Sequence, residues 1–214
     1  MLVNRERDKL LSAIIYFVRT TKYCHTLKLF KLLNFLDFEH FRQTGRTVTG
    51  LRYSAWVMGP VPDDLWNEIV KGGDADMRAA ITIIEDDGQP SRAALRTIDH
   101  GDDWQGEQKQ YKKRILKPKR AFDKAIFTKR ELMIMDRLTE FFKEFRGVDM
   151  SEFSHKARQP WSRVFNGGEG DRNPIPIELS LAAEPIMFEM PTIDEDERRY
   201  RETLLSGLYV RART

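Results

Sequence analysis

The chain has 214 residues, 41% of them hydrophobic and 32% charged, with a formal net charge of +3. Such a composition belongs to a globular protein that can bury a sizeable core in one domain, or in one domain with an appendage. The charge alone is too small to argue for a polyanion partner, no apolar run reaches the length of a membrane span, and a single cysteine, Cys24, excludes an internal disulfide.

The start, MLVNRERDKLL, lacks the layout of a signal peptide, which together with the lone thiol points to the cytoplasm. Residues 5–19 read as a first helix, with Leu10, Leu11, Ile14, Ile15, Phe17 and Val18 facing inward and Arg5, Glu6, Arg7, Asp8 and Lys9 in water. Residues 20–26 lead to a second helix over 27–41, for which Thr26 is the expected N-cap. This second helix holds no Gly or Pro, and its Leu and Phe residues spread around most of its circumference. A helix apolar nearly all round is a buried one, so it should be the centre of the domain. Asn34, Asp37 and His40 on it must then each find hydrogen-bond partners. Gly45 is placed to end it in a left-handed conformation, with Arg42 and Arg46 near its negative end.

Residues 47–58 favour a short hairpin or irregular strand. Gly59-Pro60-Val61-Pro62 forces a bend, and Pro62, Asp63 and Asp64 suit the first turn of a third helix, which presents Leu65, Trp66, Ile69 and Val70 on one face and stops at Gly72-Gly73. A short helix over 74–81 and an extended 82–86 follow, then a polar, Gly-rich and acid-rich stretch over 86–110 that reads as a long loop or insertion. Residues 111–120 are extended. Thr128 and Glu131 make a capping box, flanked by a Phe127–Leu132 staple, for a helix with Ile134, Leu138, Phe141, Phe142 and Phe145 at helical spacing and Gly147 as its end. A short helix over 149–156 with Glu152 at its capping-box position, breaks at Pro160-Trp161 and Asn166-Gly167-Gly168, and an extended 173–181 complete the domain. Thr192 and Glu195 are placed to cap a last helix running to about Leu205. The expected fold is mainly α, of the α+β class: a compact helical domain around a buried central helix, with a small β-hairpin or sheet element. Residues 1–190 are expected to form one domain and 191–214 a C-terminal helix or tail.

The residues reveal no catalytic constellation. Asp37 and His40, three apart on one helix face, make half of a carboxylate-x-x-His metal pair, and no second pair is visible. A buried acceptor tying the helix to the extended segment after it is the reading that fits Asp37. Cys24 and His25 are adjacent and cannot aim at one another, and no third group orients them. The glycines at 72–73 and 166–170 lack the strand and helix of a phosphate loop. Two alternatives stay open: a nucleic-acid-binding regulator using the basic segment 109–130, and a metal-dependent enzyme using Asp37 and His40. Of the tryptophans, Trp66 and Trp161 sit in apolar patterns and read as core, while Trp56 and Trp104 are candidates for exposure.

The run FLDFEHFRQTGRTVTGLRYSAWVMGPVPDDL carries Asp37, His40-Phe41, Gly45-Arg46, Thr49-Gly50, Tyr53, Ala55 and Gly59-Pro60-Val61. A second stretch, EFSHKARQPW, carries His155 and Trp161. Together they resemble the signature of the Panacea domain, the SocA-like family of bacterial and phage antitoxins, over residues 26–181. The resemblance implies a non-enzymatic antitoxin without cofactor or metal, which binds and neutralises a cognate toxin encoded by the adjacent gene. In one described variant the antitoxin acts as an adaptor that delivers its toxin to an AAA+ protease, while many others neutralise by direct binding; nucleic acid and membrane are not expected partners. Motif or partner-binding residues by this resemblance are Asp37, His40, Arg46, Tyr53, Trp56, Gly59, Pro60, His155 and Trp161, on a surface that includes 53–62. The additional DNA-binding domain of some family members is not expected, because little chain precedes residue 27.

Overall fold

The computed structural model describes residues 5–86, 113–156 and 158–185, together with Glu195, Arg198, Arg199, Glu202 and Thr203. Helix α1 spans Arg5–Thr20 and helix α2 spans Thr26–Thr44. Every α2 residue from 28 to 41 is buried, as its all-round apolar pattern requires. One side packs against Leu11, Ile14 and Phe17 of α1 and against Ile134, Leu138 and Phe142 of α5, the helix Lys129–Phe142. Phe38 on another side belongs to a second, smaller core with Tyr53, Ala55, Trp161, Phe165 and Ile175. The central helix therefore stands between two cores.

Strands β1 (Tyr53–Trp56) and β2 (Gly59–Val61) form an antiparallel hairpin, and β5 (Pro174–Ile175) pairs with the other edge of β1. Trp56 faces Gly59 at the turn, and Tyr53 faces Ile175. Helices α3 (Asp63–Val70) and α4 (Ala75–Ala80) follow, then strand β3 (Ile81–Asp86), which pairs antiparallel with β4 (Lys113–Pro118) in a separate two-stranded sheet. Short helices α6 (Ser151–Ser154) and α7 (Pro160–Phe165) and the 3-10 turn Ile177–Ala182 close the domain. This is a mainly helical α+β fold with small antiparallel sheets.

Several boundaries differ from the sequence expectations, each for a physical reason. Helix α2 starts at Thr26, with His25 rather than Thr26 as N-cap, because Leu29 N–H already bonds His25 O at 3.0 Å. Its far end is as expected: Gly45 adopts φ 73° and donates to Phe41 O at 2.7 Å. The capping box of Thr128 and Glu131 forms, but α5 stops at Phe142, short of Gly147. There the buried Lys28 ammonium takes the carbonyls of Phe142 and Phe145, both at 2.7 Å, and the chain turns away. Gly147 lies where a Cβ would come within 3.0 Å of Lys28 N, so its role is close approach to α2.

Asp149 accepts from Arg146 N at 2.9 Å instead of opening a helix, and α6 is confined to Ser151–Ser154 without a side-chain cap. Pro160, read as a break, starts α7, since its missing N–H is harmless in a first turn. Most of 173–181 is the 3-10 turn and not extended chain. Arg7 and Lys9 leave water to pair with Glu68, Asp76 and Glu131, while Val70 is exposed. The expected loop 86–110, apart from Asp86, lies outside the described residues, as does Trp104; so do Thr192, Leu205 and most of 191–214.

Candidate functional site

The residues singled out in the sequence gather in two adjoining clusters. The first is built on Asp37, which is wholly buried. Its Oδ1 accepts from Val48 N and Thr49 N, both at 2.8 Å, and its Oδ2 accepts from the Tyr53 hydroxyl at 2.8 Å and from the Thr49 hydroxyl. Burial pushes its pKa up and these donors pull against that push. Burial raises Tyr53 well above its ordinary value too, helped by the neighbouring carboxylate. One turn further on, His40 Nδ1–H donates to Arg46 O at 2.6 Å, and burial lowers the imidazole pKa, leaving the ring neutral. Asp37 and His40 thus strap the chain after Gly45 onto α2, His40 through the backbone carbonyl of Arg46.

The second cluster joins the Gly-Pro hairpin to the downstream His and Trp. Trp161 Nε1–H donates to Trp56 O at 2.8 Å, while its ring lies between His155 (centroids 3.7 Å apart) and Phe165 (4.5 Å). Trp56, a candidate for exposure, is buried. Its Nε1–H donates to Asp63 Oδ1 at 2.9 Å, and the Arg172 guanidinium lies 3.5 Å from its ring centroid. Gly59 has φ +114°, and a Cβ there would stand 2.2 Å from Lys31 Nζ, 3.3 Å from Ser154 Oγ and 3.6 Å from His155 Nε2. The Lys31 ammonium donates to Met58 O, and burial lowers its pKa to about 7.

Lys28 and Lys31 are the residues that sequence reasoning missed. Their signal was present: a lysine inside a helix that is apolar all round has no water to reach and must find carbonyls.

Beside the second cluster a cleft opens between α2, Pro60, Ser154, residues 159–161 and the 3-10 turn Ile177–Ala182. Phe35, Phe38, Pro160 and Trp161 give it apolar walls. Glu39 on its floor accepts from Arg42 Nε at 3.0 Å, from Arg42 Nη2, and from Gln43 Nε2 at 2.8 Å. Two buried polar atoms of residues lining this cleft, Asn34 Nδ2 and Ser180 Oγ, have no hydrogen-bond partner among the described residues. The expectation of satisfied partners therefore holds for Asp37 and His40 and fails for the Asn34 amide nitrogen.

A protein-family model described as antitoxin SocA-like, Panacea domain, matches residues 29–162, more than half of the chain. The chain belongs to this SocA-like antitoxin family. Its match begins in α2 and ends in α7, so it covers the first cluster and all of the second except Phe165 and Arg172. No curated protein and no solved structure matches the chain. Membership of the SocA-like family supports an antitoxin role, and with it a toxin as partner.

Among the described residues no helix is long and apolar enough to cross a membrane, and no three His, Cys, Asp or Glu side chains come together to hold a metal ion. In the described part of the basic segment, Arg114 is buried and paired with Glu85 at 3.1 Å, and Lys119 caps Arg78 O at 2.6 Å.

Proposed function

We propose that this protein neutralises a cognate toxin, encoded by the adjacent gene and met in the cytoplasm, by direct protein–protein binding and without turnover. The observation that carries this reading is the family match over residues 29–162. The geometry adds support. Asp37 already accepts four hydrogen bonds and His40 faces a carbonyl, so the two residues of the metal-enzyme alternative are engaged in holding the fold. Strands β1 and β2 are buried, so contact falls on what the hairpin supports: the half-buried Val57-Met58 turn and the cleft beside Pro60. Arg114, buried and paired with Glu85 in the β3–β4 ladder, is withdrawn from the basic segment on which the nucleic-acid alternative relies.

The test is growth. The adjacent gene expressed alone should arrest a bacterial host, and co-expression with this chain should restore growth while the toxin persists at an unchanged level. A neighbour that is harmless alone, or lethal beside this chain, defeats the reading. Restored growth with loss of the toxin would identify a proteolytic adaptor instead.

A further inference from the structure

We infer that the open edge of strand β3 pairs with the same edge of a second copy of this chain, antiparallel about a twofold axis at Ile83, joining two two-stranded sheets into one of four strands. The β1–β2 hairpin belongs to the other sheet, so this pairing leaves it available and stands independently of the antitoxin reading.

The phase of the β3–β4 ladder leaves backbone groups unmet. Lys119 N–H donates to Ala80 O at 2.8 Å, and the register runs unbroken from there to Asp86 opposite Lys113. Antiparallel bonds fall on alternate residues, so Thr82 and Ile84 exchange theirs with Lys117 and Ile115. The N–H and C=O of Ile83 and the C=O of Ile81 therefore point away from β4. Ile81 N–H is engaged by Met77 O, where it closes α4. No described strand takes this far edge, and of the described elements only α4, which runs into β3, packs substantially against it besides β4. Ile84 is 36% exposed, and Thr82 and Ile83 are half-buried.

Exposed edges are blunted by Lys, Pro, a bulge or brevity. Strand β4 carries Lys117 and Pro118, and its other edge meets His25 in an isolated bridge. Strand β3 reads ITIIED: six residues without bulge, Lys or Pro, and with three isoleucines. Such an edge is a template for another strand.

Its own copy fits it. A symmetric contact sets one patch against itself, and an axis at Ile83 brings the unmet N–H and C=O of that residue against those of Ile83 in the second copy. Thr82 then lies opposite Ile84 of the second copy, a β-branched pair on one face of the joined sheet. The charges agree as well. Acidic Glu85-Asp86 at the end of each strand comes alongside the start of the other, beside which Lys117 and Lys119 are exposed. A parallel pairing would set acid against acid. The strand is short and Ile81 N–H is already engaged, so the dimer is a weak one that forms as concentration rises.

Sedimentation velocity of the full chain from micromolar to near-millimolar concentration tests this, together with hydrogen exchange at the β3 amides. The weight-average mass should rise from that of one chain toward that of two. Ile83 N–H should exchange fast when dilute and at least tenfold more slowly when concentrated, while Thr82 and Ile84 stay protected throughout. Ile83→Pro removes the donor at the axis without touching a bond to β4, and should stay monomeric with an unchanged circular dichroism spectrum. Lys117→Glu, at an exposed site, should weaken the dimer severalfold. Phe141→Ser, which removes an exposed apolar side chain elsewhere, should leave it within twofold of wild type. A wild-type chain that stays monomeric across the range overturns the inference. So does a dimer that a folded Ile83→Pro keeps within twofold, or Ile83 N–H already protected in the dilute monomer. Should Ile83→Pro not fold, Lys117→Glu decides on the same criterion. Protection of Ile83 N–H that appears only with the adjacent-gene product would assign the edge to the toxin and overturn the inference as well.

Discussion

Lys31 Nζ occupies the place where any side chain on Gly59 would begin, 2.2 Å from an ideal Cβ. The lysine of the central helix and the glycine of the hairpin are therefore one joint. The glycine supplies φ +114° and room, and the lysine ties down the preceding carbonyl of Met58. Gly59→Ala should cost about 1–3 kcal/mol for the backbone conformation alone, plus the displacement of the lysine. Gly72→Ala, with φ +89° and nothing within 4 Å, is the control that carries only the first cost. Urea unfolding of both variants should rank Gly59→Ala as clearly the worse.

Lys31 also predicts a pH dependence. Its folded-state pKa is about 7 against an ordinary 10.5, because burial disfavours the charged amine. Between those values the unfolded state binds the extra proton, so stability from this group rises with pH across the interval and its penalty is complete below about 7. Cys24, pushed by burial to about 11, and the raised tyrosines act in the opposite sense at higher pH. The clean window is therefore pH 7 to about 8.5. The stability of Lys31→Met minus that of wild type should fall steadily across that window, as read by denaturant melts at each pH. A flat difference would show that Lys31 is solvated.

Asp37 serves two amides with one oxygen and two hydroxyls with the other. In Asp37→Asn the carbonyl can keep the amides of Val48 and Thr49, while the hydroxyls of Thr49 and Tyr53 can turn to accept from the new amide. That variant should lose about 1–2 kcal/mol, and Asp37→Ala, which strands buried donors, about 3 kcal/mol or more. Hydrogen exchange at Val48 and Thr49 should accelerate markedly in the alanine variant and only modestly in the asparagine one.

Arg7 grips Glu68 of α3 and Asp76 of α4 with paired hydrogen bonds of 2.6–2.8 Å. Those from Arg7 hold the Asp76 carboxyl down at about 2. A depressed carboxyl contributes stability that is present above its ordinary value of 3.8 and is lost as pH falls toward 2. Asp76 is half exposed, so after screening the pair contributes under about 1 kcal/mol. Arg7→Met should shrink the acid-side loss of stability between pH 5 and 2, and added salt should shrink it in the wild type.

Much of the frame was legible because local patterns decide it. The all-round apolar stretch gave the buried α2 and, with it, the architectural role of Asp37; Thr128 with Glu131 marked the start of α5. What escaped depends on partners far along the chain. Lys28 reaches the carbonyls of Phe142 and Phe145, and Lys31 that of Met58, and no periodicity records such a bond. Proline misled twice. Pro160 suits both the end of one helix and the start of another, and the φ fixed at Pro174 and Pro176 is shared by extended chain and 3-10 turn. The cleft was invisible for a related reason: Asn34 and Ser180 meet only through the tertiary fold, 146 positions apart in sequence.

Size-exclusion chromatography with light scattering on this chain co-purified with the adjacent-gene product tests the central claim most directly. Direct neutralisation predicts a single stable complex that contains both intact proteins, from a host whose growth is restored. Restored growth with two separately eluting proteins and no complex at micromolar concentration would contradict it.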